Sequence, residues 1–145
     1  MVNLWVNNTY IERIYKMSKY VDVFVLVVPK GKSEEYKKMA EDDRDSWMKH
    51  GALQYFECKG DDMKQQEMGS DKSRAFGEMA NAETGDEVWF SFIIFESREH
   101  RDEVNAKVMK EMTETYDEQS GFVSPVDMTK MAYAGFAVQV EGKKA

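Results

Sequence analysis

Arg101 and Asn105 are the residues of this 145-residue chain best placed to do chemistry. They lie four apart in a stretch that reads as a helix, and they share its face with Val104, Val108, Met109 and Met112. His100 falls at the edge of that face. A guanidinium on an apolar stripe needs an anionic or carbonyl partner, because an unpaired buried charge is costly. Asp22, Asp43, main-chain carbonyls or a bound acid could each serve. Arginine grips carboxylates through two parallel hydrogen bonds, so an acidic or enolic small molecule is the preferred ligand class. Paired internally, the same two residues would be structural. Arg74 and His50 are expected near this pocket. His50 also has a simpler role at a helix C-terminus, where it meets free carbonyls and the negative end of the dipole.

Other chemistries find little footing. A metal site needs clustered histidine, cysteine or carboxylate ligands, whereas His50 and His100 stand alone and Cys58 has no partner motif. No metal and no cofactor is therefore expected. A single cysteine in an apolar strand is more often core than nucleophile. No glycine motif able to cradle phosphate appears. The eleven methionines and eighteen aromatic residues read as packing.

The elements that must hold these residues are led by positions 87–109. Positions 88–95 form an apolar run broken only by Ser91, rich in aromatic and β-branched residues, and therefore a strand. Trp89, Ile93 and Phe95 point one way; Val88, Phe90, Phe92 and Ile94 point the other. Both faces then need covering. Ser97 follows as an N-cap, with Glu99 in the first turn of the helix that carries Arg101. A second apolar strand spans 20–28, broken only by Asp22 and ended by Pro29. Gly31 and Ser33 follow as loop and cap. Residues 34–50 show a helical period with Tyr36, Met39, Ala40 and Trp47 on one face, and Asp43 and His50 beside them. Gly51 ends that helix. A rougher strand spans 52–59. Residues 60–86 read as a long polar excursion with a short extended piece at 74–76. A polar connection over 113–124 leads to a last strand over 131–140.

Composition frames this as a single soluble domain, with 32% charged and 42% hydrophobic residues. Net charge −7 argues against nucleic acid and against anionic membrane as partners. No apolar run approaches membrane-spanning length. The lone Cys58 suits a reducing, cytoplasmic setting. Residues 1–16 have no clean period and no signal-peptide pattern, so they are expected to be an extension, with Met17 as the natural start.

The order strand, helix, strand, strand, helix, strand predicts an α+β domain of the ferredoxin-like, split β-α-β type, with an antiparallel four-stranded sheet and both helices on one face. Strands apolar on both sides then predict a homodimer through the open sheet face.

The segments YVDVFVLVVPK, WMKHGALQY, SREHRDEVNAKVM and KMAYAGF resemble the YbaA-like family, a bacterial domain of unknown function in the dimeric α/β-barrel superfamily. The resemblance runs from about position 19 to 140. It implies a ferredoxin-like protomer whose sheets pair into a closed barrel, and it brings no established reaction. Asp43 and Ser46 depart from the family's small or apolar residues. The superfamily includes cofactor-free oxygenases, isomerases and haem-degrading enzymes. Trp89 with His100 is similar to the last type, but Val21, Asp22 and Val23 stand where that type carries an asparagine. The reading that results is a protein binding a small acidic or hydrophobic molecule between sheet and helices. A cofactor-independent oxygenase or isomerase and a noncatalytic structural or stress-related homodimer are the alternatives.

Overall fold

The computed structural model describes residues 18–117 and 120–145, so the extension expected over 1–16 lies outside the described residues. In chain order the elements are β1 (Tyr20–Val28), α1 (Ser33–His50), β2 (Gln54–Lys59), β3 (Glu67–Met68), β4 (Asp71–Lys72) and α2 (Phe76–Met79). They continue as β5 (Glu87–Phe95), α3 (Arg98–Thr115), a 3-10 turn at Met128–Lys130 and β6 (Ala132–Ala137). The fold is α+β. Four strands form one sheet in the order β2-β5-β1-β6, with every neighbouring pair antiparallel.

Alternation sorts the side chains as the sequence predicts. One face carries Trp89, Ile93 and Phe95 of β5 with Tyr20, Leu26 and Val28 of β1, all buried. Helices α1 and α3 close it with Trp47, Val104 and Val108 in one cluster and Tyr36 and Ala40 in another. The face of α3 is narrower than its period suggests, since Met109 is exposed.

The opposite face shows Phe56, Phe90 and Phe136 partly open to solvent. Its far end is not bare, however. Ala80 and Ala82, just beyond α2, pack on Val27 and Val88. The excursion expected to be merely polar thus supplies part of the second cover. It also contains a two-stranded hairpin and, at Phe76, a helical turn where an extended piece was expected.

Local signals at the helix ends are mostly as read. The Ser97 hydroxyl accepts from the His100 backbone N–H at 3.1 Å, and Gly51 takes a left-handed conformation with φ 114°. Lys32, not Ser33, is the first cap of α1, because the turn closed by Lys32 N–H on the Pro29 carbonyl starts the helix one residue early. Strands β2 and β6 are shorter than expected. Beyond Ala137, the Val138 N–H still bonds the Lys19 carbonyl at 2.9 Å, but Val140 is almost fully exposed.

Candidate functional site

Two polar constellations sit under the helices. The first is built on Asp22, which is fully buried in β1. Its Oδ1 accepts from Arg101 Nη1 at 2.7 Å, and its Oδ2 accepts from Asn105 Nδ2 at 3.1 Å and the Tyr133 hydroxyl at 3.0 Å. Asn105 Oδ1 in turn accepts from Trp47 Nε1 at 3.0 Å. The guanidinium also bonds Asp102 and the Tyr133 hydroxyl, and it lies 4.7 Å over the Tyr20 ring. Burial works against its charge, yet Asp102 and Asp22 hold it above its ordinary pKa. Gly135 is needed beside this network: a Cβ there would sit 2.5 Å from the Tyr20 hydroxyl. Every polar group here has a partner inside the protein.

The other expected residues are dispersed. His100 Nδ1 accepts from the Glu96 backbone N–H at 3.0 Å, and its ring meets Phe95 edge-on. His50 pairs with Glu111, which Lys49 also approaches at 3.2 Å. Arg74 is exposed on the excursion. Trp89, whose Nε1 donates to Glu87, packs edge-on to Tyr36, in a different cluster from the one beneath His100. The fold therefore brings Arg101 and Asn105 together on Asp22 and leaves His50, His100 and Arg74 with separate tasks.

The second constellation lines a cavity of about 440 Å³ between sheet and helices. Phe24, Leu26, Ser91 and Ile93 form its floor; Tyr36, Met39, Asp43 and Trp47 of α1 and Met112 of α3 form its roof. The chain returning to β6 closes the side with Phe122, Val126 and Met131. None of Arg101, Asn105, His100, Arg74 or His50 lines it. Its polar groups are acceptors of a specific kind. Glu57 Oε2 accepts from the Tyr36 hydroxyl at 2.8 Å and Oε1 from the Tyr55 hydroxyl at 2.7 Å. Burial raises the Glu57 pKa while the two phenols oppose that rise. Both phenols are held well above their ordinary pKa, first by burial and then by Glu57. Asp43 is pushed up to about 6, by burial first and then by Glu57 and Asp42. Its carboxylate bonds no donor among the described residues. Ser91 is 3% exposed and pairs across the ladder with Glu57, and its hydroxyl makes no hydrogen bond among the described residues.

A carboxyl whose folded pKa lies above its unfolded value holds its proton more tightly when folded. Its presence therefore costs stability as pH rises from about 4 through about 6. Asp43→Asn is expected to raise the melting temperature at pH 8 and to change it little at pH 4. The gain should be about 1–3 kcal/mol. An equal shift at both pH values would show that Asp43 is not strained by burial.

The sequence showed Asp43 on the inward face of its helix but did not single out Tyr36, Tyr55, Glu57 or Ser91 as a group. One signal was present. Ser91 and Asp22 are the sole polar breaks in two apolar strands, and both are buried polar residues.

Among the described residues, no three potential metal ligands come together, and no helix is long and apolar enough to cross a membrane.

Comparison with known proteins places the chain. A model of a protein family of unknown function, DUF1428, matches residues 19–123. The uncharacterised protein YbaA of Escherichia coli K12 is 35% identical over 118 residues, covering 81% of this chain and 94% of the relative. The YbaA protein of Shigella flexneri matches to the same extent. Among solved structures, the de novo designed protein Foldit4 overlays at a TM-score of 0.38 with 6% identity, covering 85% of this chain and 99% of that one. A Bacillus cereus protein related to NIF3 overlays at 0.34 with 17% identity, covering 86% of this chain and 27% of that one. Those two scores are too low to establish a common fold. The match across 19–123 and the identity to YbaA, by contrast, cover most of the chain, which therefore belongs to the DUF1428 family of proteins of unknown function.

Proposed function

We propose that the protein binds a small, largely apolar organic molecule in the cavity between sheet and helices. The observation that carries this is the cavity itself. Its 440 Å³ falls in the range of small-molecule sites, and its walls are mostly aromatic, methionine and aliphatic with a few convergent polar groups. A well-packed core of this size has no reason to leave such a space or to turn Ser91 and Asp43 into it. Arg101 and Asn105 act as structural supports in this reading, clamped on Asp22 behind the cavity. A second reading, proton transfer of the isomerase kind, is favoured by Asp43 alone, an acid with a pKa near 6 facing an apolar space.

The protomer is of the ferredoxin-like type in this reading, and it works as a homodimer paired through the open sheet face into an α/β barrel. That face presents Val21, Val23, Phe56, Phe92, Ala134 and Phe136 without a charged side chain among them. A second copy of the same uncharged surface meets no like charges across a two-fold axis. A cytoplasmic setting suits Cys58, a free thiol on that face.

Nile red, uncharged and apolar, tests the cavity. It should bind saturably with an emission rise. Met128→Trp should weaken binding several-fold, because Met128 is exposed and lines the cavity. Dye binding indifferent to Met128→Trp would be binding elsewhere and would sink the cavity reading.

A further inference from the structure

We infer that the molecule the cavity takes is an amphiphilic organic cation, a primary amine on an apolar body. The inference deepens the cavity reading above and rests on it.

Charge decides the class. Among the described residues, no lysine, arginine or histidine lines the cavity, whereas two carboxylates, Asp43 and Glu57, do. Glu57 makes Asp43 harder to ionise, being the largest charged contributor, after burial, to its upward shift. An incoming carboxylate would add a third negative charge in a space with no counter-charge. An incoming ammonium relieves the repulsion already there.

Hydrogen-bond capacity points the same way. A carboxylate can accept at about four lone-pair sites. Glu57 uses one site on each oxygen for Tyr36 and Tyr55, so both oxygens keep accepting capacity. Asp43 has all of its own free among the described residues. The Ser91 hydroxyl, buried at 3% exposure and uncommitted, stands beside Glu57 in the ladder. An ammonium carries three donors and no acceptor, and Asp43, Glu57 and Ser91 offer three acceptors from α1, β2 and β5. The two tyrosines already donate their protons to Glu57, so the polar end of the cavity has few donors left for an acid or a ketone. Trp47 and Phe24 in the walls add aromatic faces that favour a cation over a neutral group of equal size.

Titration should gate this recognition. Among the described residues, the groups facing Asp43 are Asp42 and Tyr36 on its own helix, Tyr55 and Glu57 on β2, and Tyr116 at the end of α3. None carries a positive charge. Protonating Asp43 therefore removes attraction for a cation and adds none.

Three molecules sharing one chain test the inference: n-octylamine, 1-octanol and octanoate, titrated calorimetrically at pH 8 and pH 5. At pH 8 octylamine is expected to bind about ten-fold tighter than octanol, the increment of a charge-assisted contact, with octanoate weakest. At pH 5 the amine's advantage should shrink about ten-fold, and Asp43→Asn should shrink it equally at pH 8. Ser91→Ala, a smaller change on a central strand, should lower amine affinity and leave octanol binding as it was. Octanol binding as tightly as octylamine at pH 8, or octanoate binding tightest, would overturn the amine preference while leaving the cavity a binding site. Absence of binding by all three would overturn the cavity reading as well.

Discussion

Replacing Asp22 with alanine is expected to lower stability by about 3 kcal/mol, or roughly 10 °C in melting temperature. Asp22 is fully buried and accepts from three different side chains, on α3 and β6. Removing one partner of a buried ion pair costs more than the pair contributes, because the other charge stays behind without compensation. The cost stays near that figure because Asp102 still bonds the Arg101 guanidinium at 2.7 Å. Two further donors lose this acceptor in the same step, the half-buried Asn105 Nδ2 and the hydroxyl of Tyr133, which is exposed and can turn to water. The paired variant Asp22→Leu with Arg101→Met removes both charges at once, and it should recover much of the loss. Chemical denaturation of the three proteins measures this directly. A loss below about 1 kcal/mol for Asp22→Ala would show that the network is not what joins β1, α3 and β6.

In the homodimer proposed above, Phe92→Glu is expected to convert the assembly from two chains to one. Light scattering should give twice the chain mass of 16.9 kDa for the unaltered protein and a single chain mass for the variant. Phe92 sits at the middle of the open face, across the ladder from Val23 and Phe56, and it stacks on Phe56 with ring centroids 4.7 Å apart. In an isolated chain that position borders solvent, so a carboxylate there costs little. At the centre of a sheet-on-sheet interface it meets its own symmetry mate in a desolvated space, which is prohibitive. The same variant should therefore keep its circular dichroism and lose its partner. A single chain mass for the unaltered protein would remove the barrel proposal, and the apolar face would then need another cover.

The first prediction draws on a residue that the sequence marked as an exception. Asp22 and Ser91 interrupt strands that are otherwise apolar, and a polar residue kept in such a run must be satisfied or used. Asp22 is satisfied. Ser91 is not, and that difference separates the structural network from the cavity. Nothing local to either residue foretells which is which.

What the chain determined by itself was everything governed by nearest neighbours along it. Two-residue alternation fixed which side chains of β1 and β5 face the helices, and the 3.6-residue period turned Tyr36, Trp47, Val104 and Val108 inward. Ser97 began α3 and Gly51 ended α1, where a capping side chain or the absence of one permits. The excursion at 60–86 was less legible, because its short hairpin and helical turn are held by contacts too few to leave a period. Only the tertiary structure decided which polar groups meet. Register set Glu57 opposite Ser91, and helix packing brought Asp43 over the same floor. Arg101 found Asp22 seventy-nine positions distant along the chain. Such pairings depend on how strands align and helices settle across the sheet, and that information is nonlocal. The pattern of one segment records what it buries, not what it buries it against.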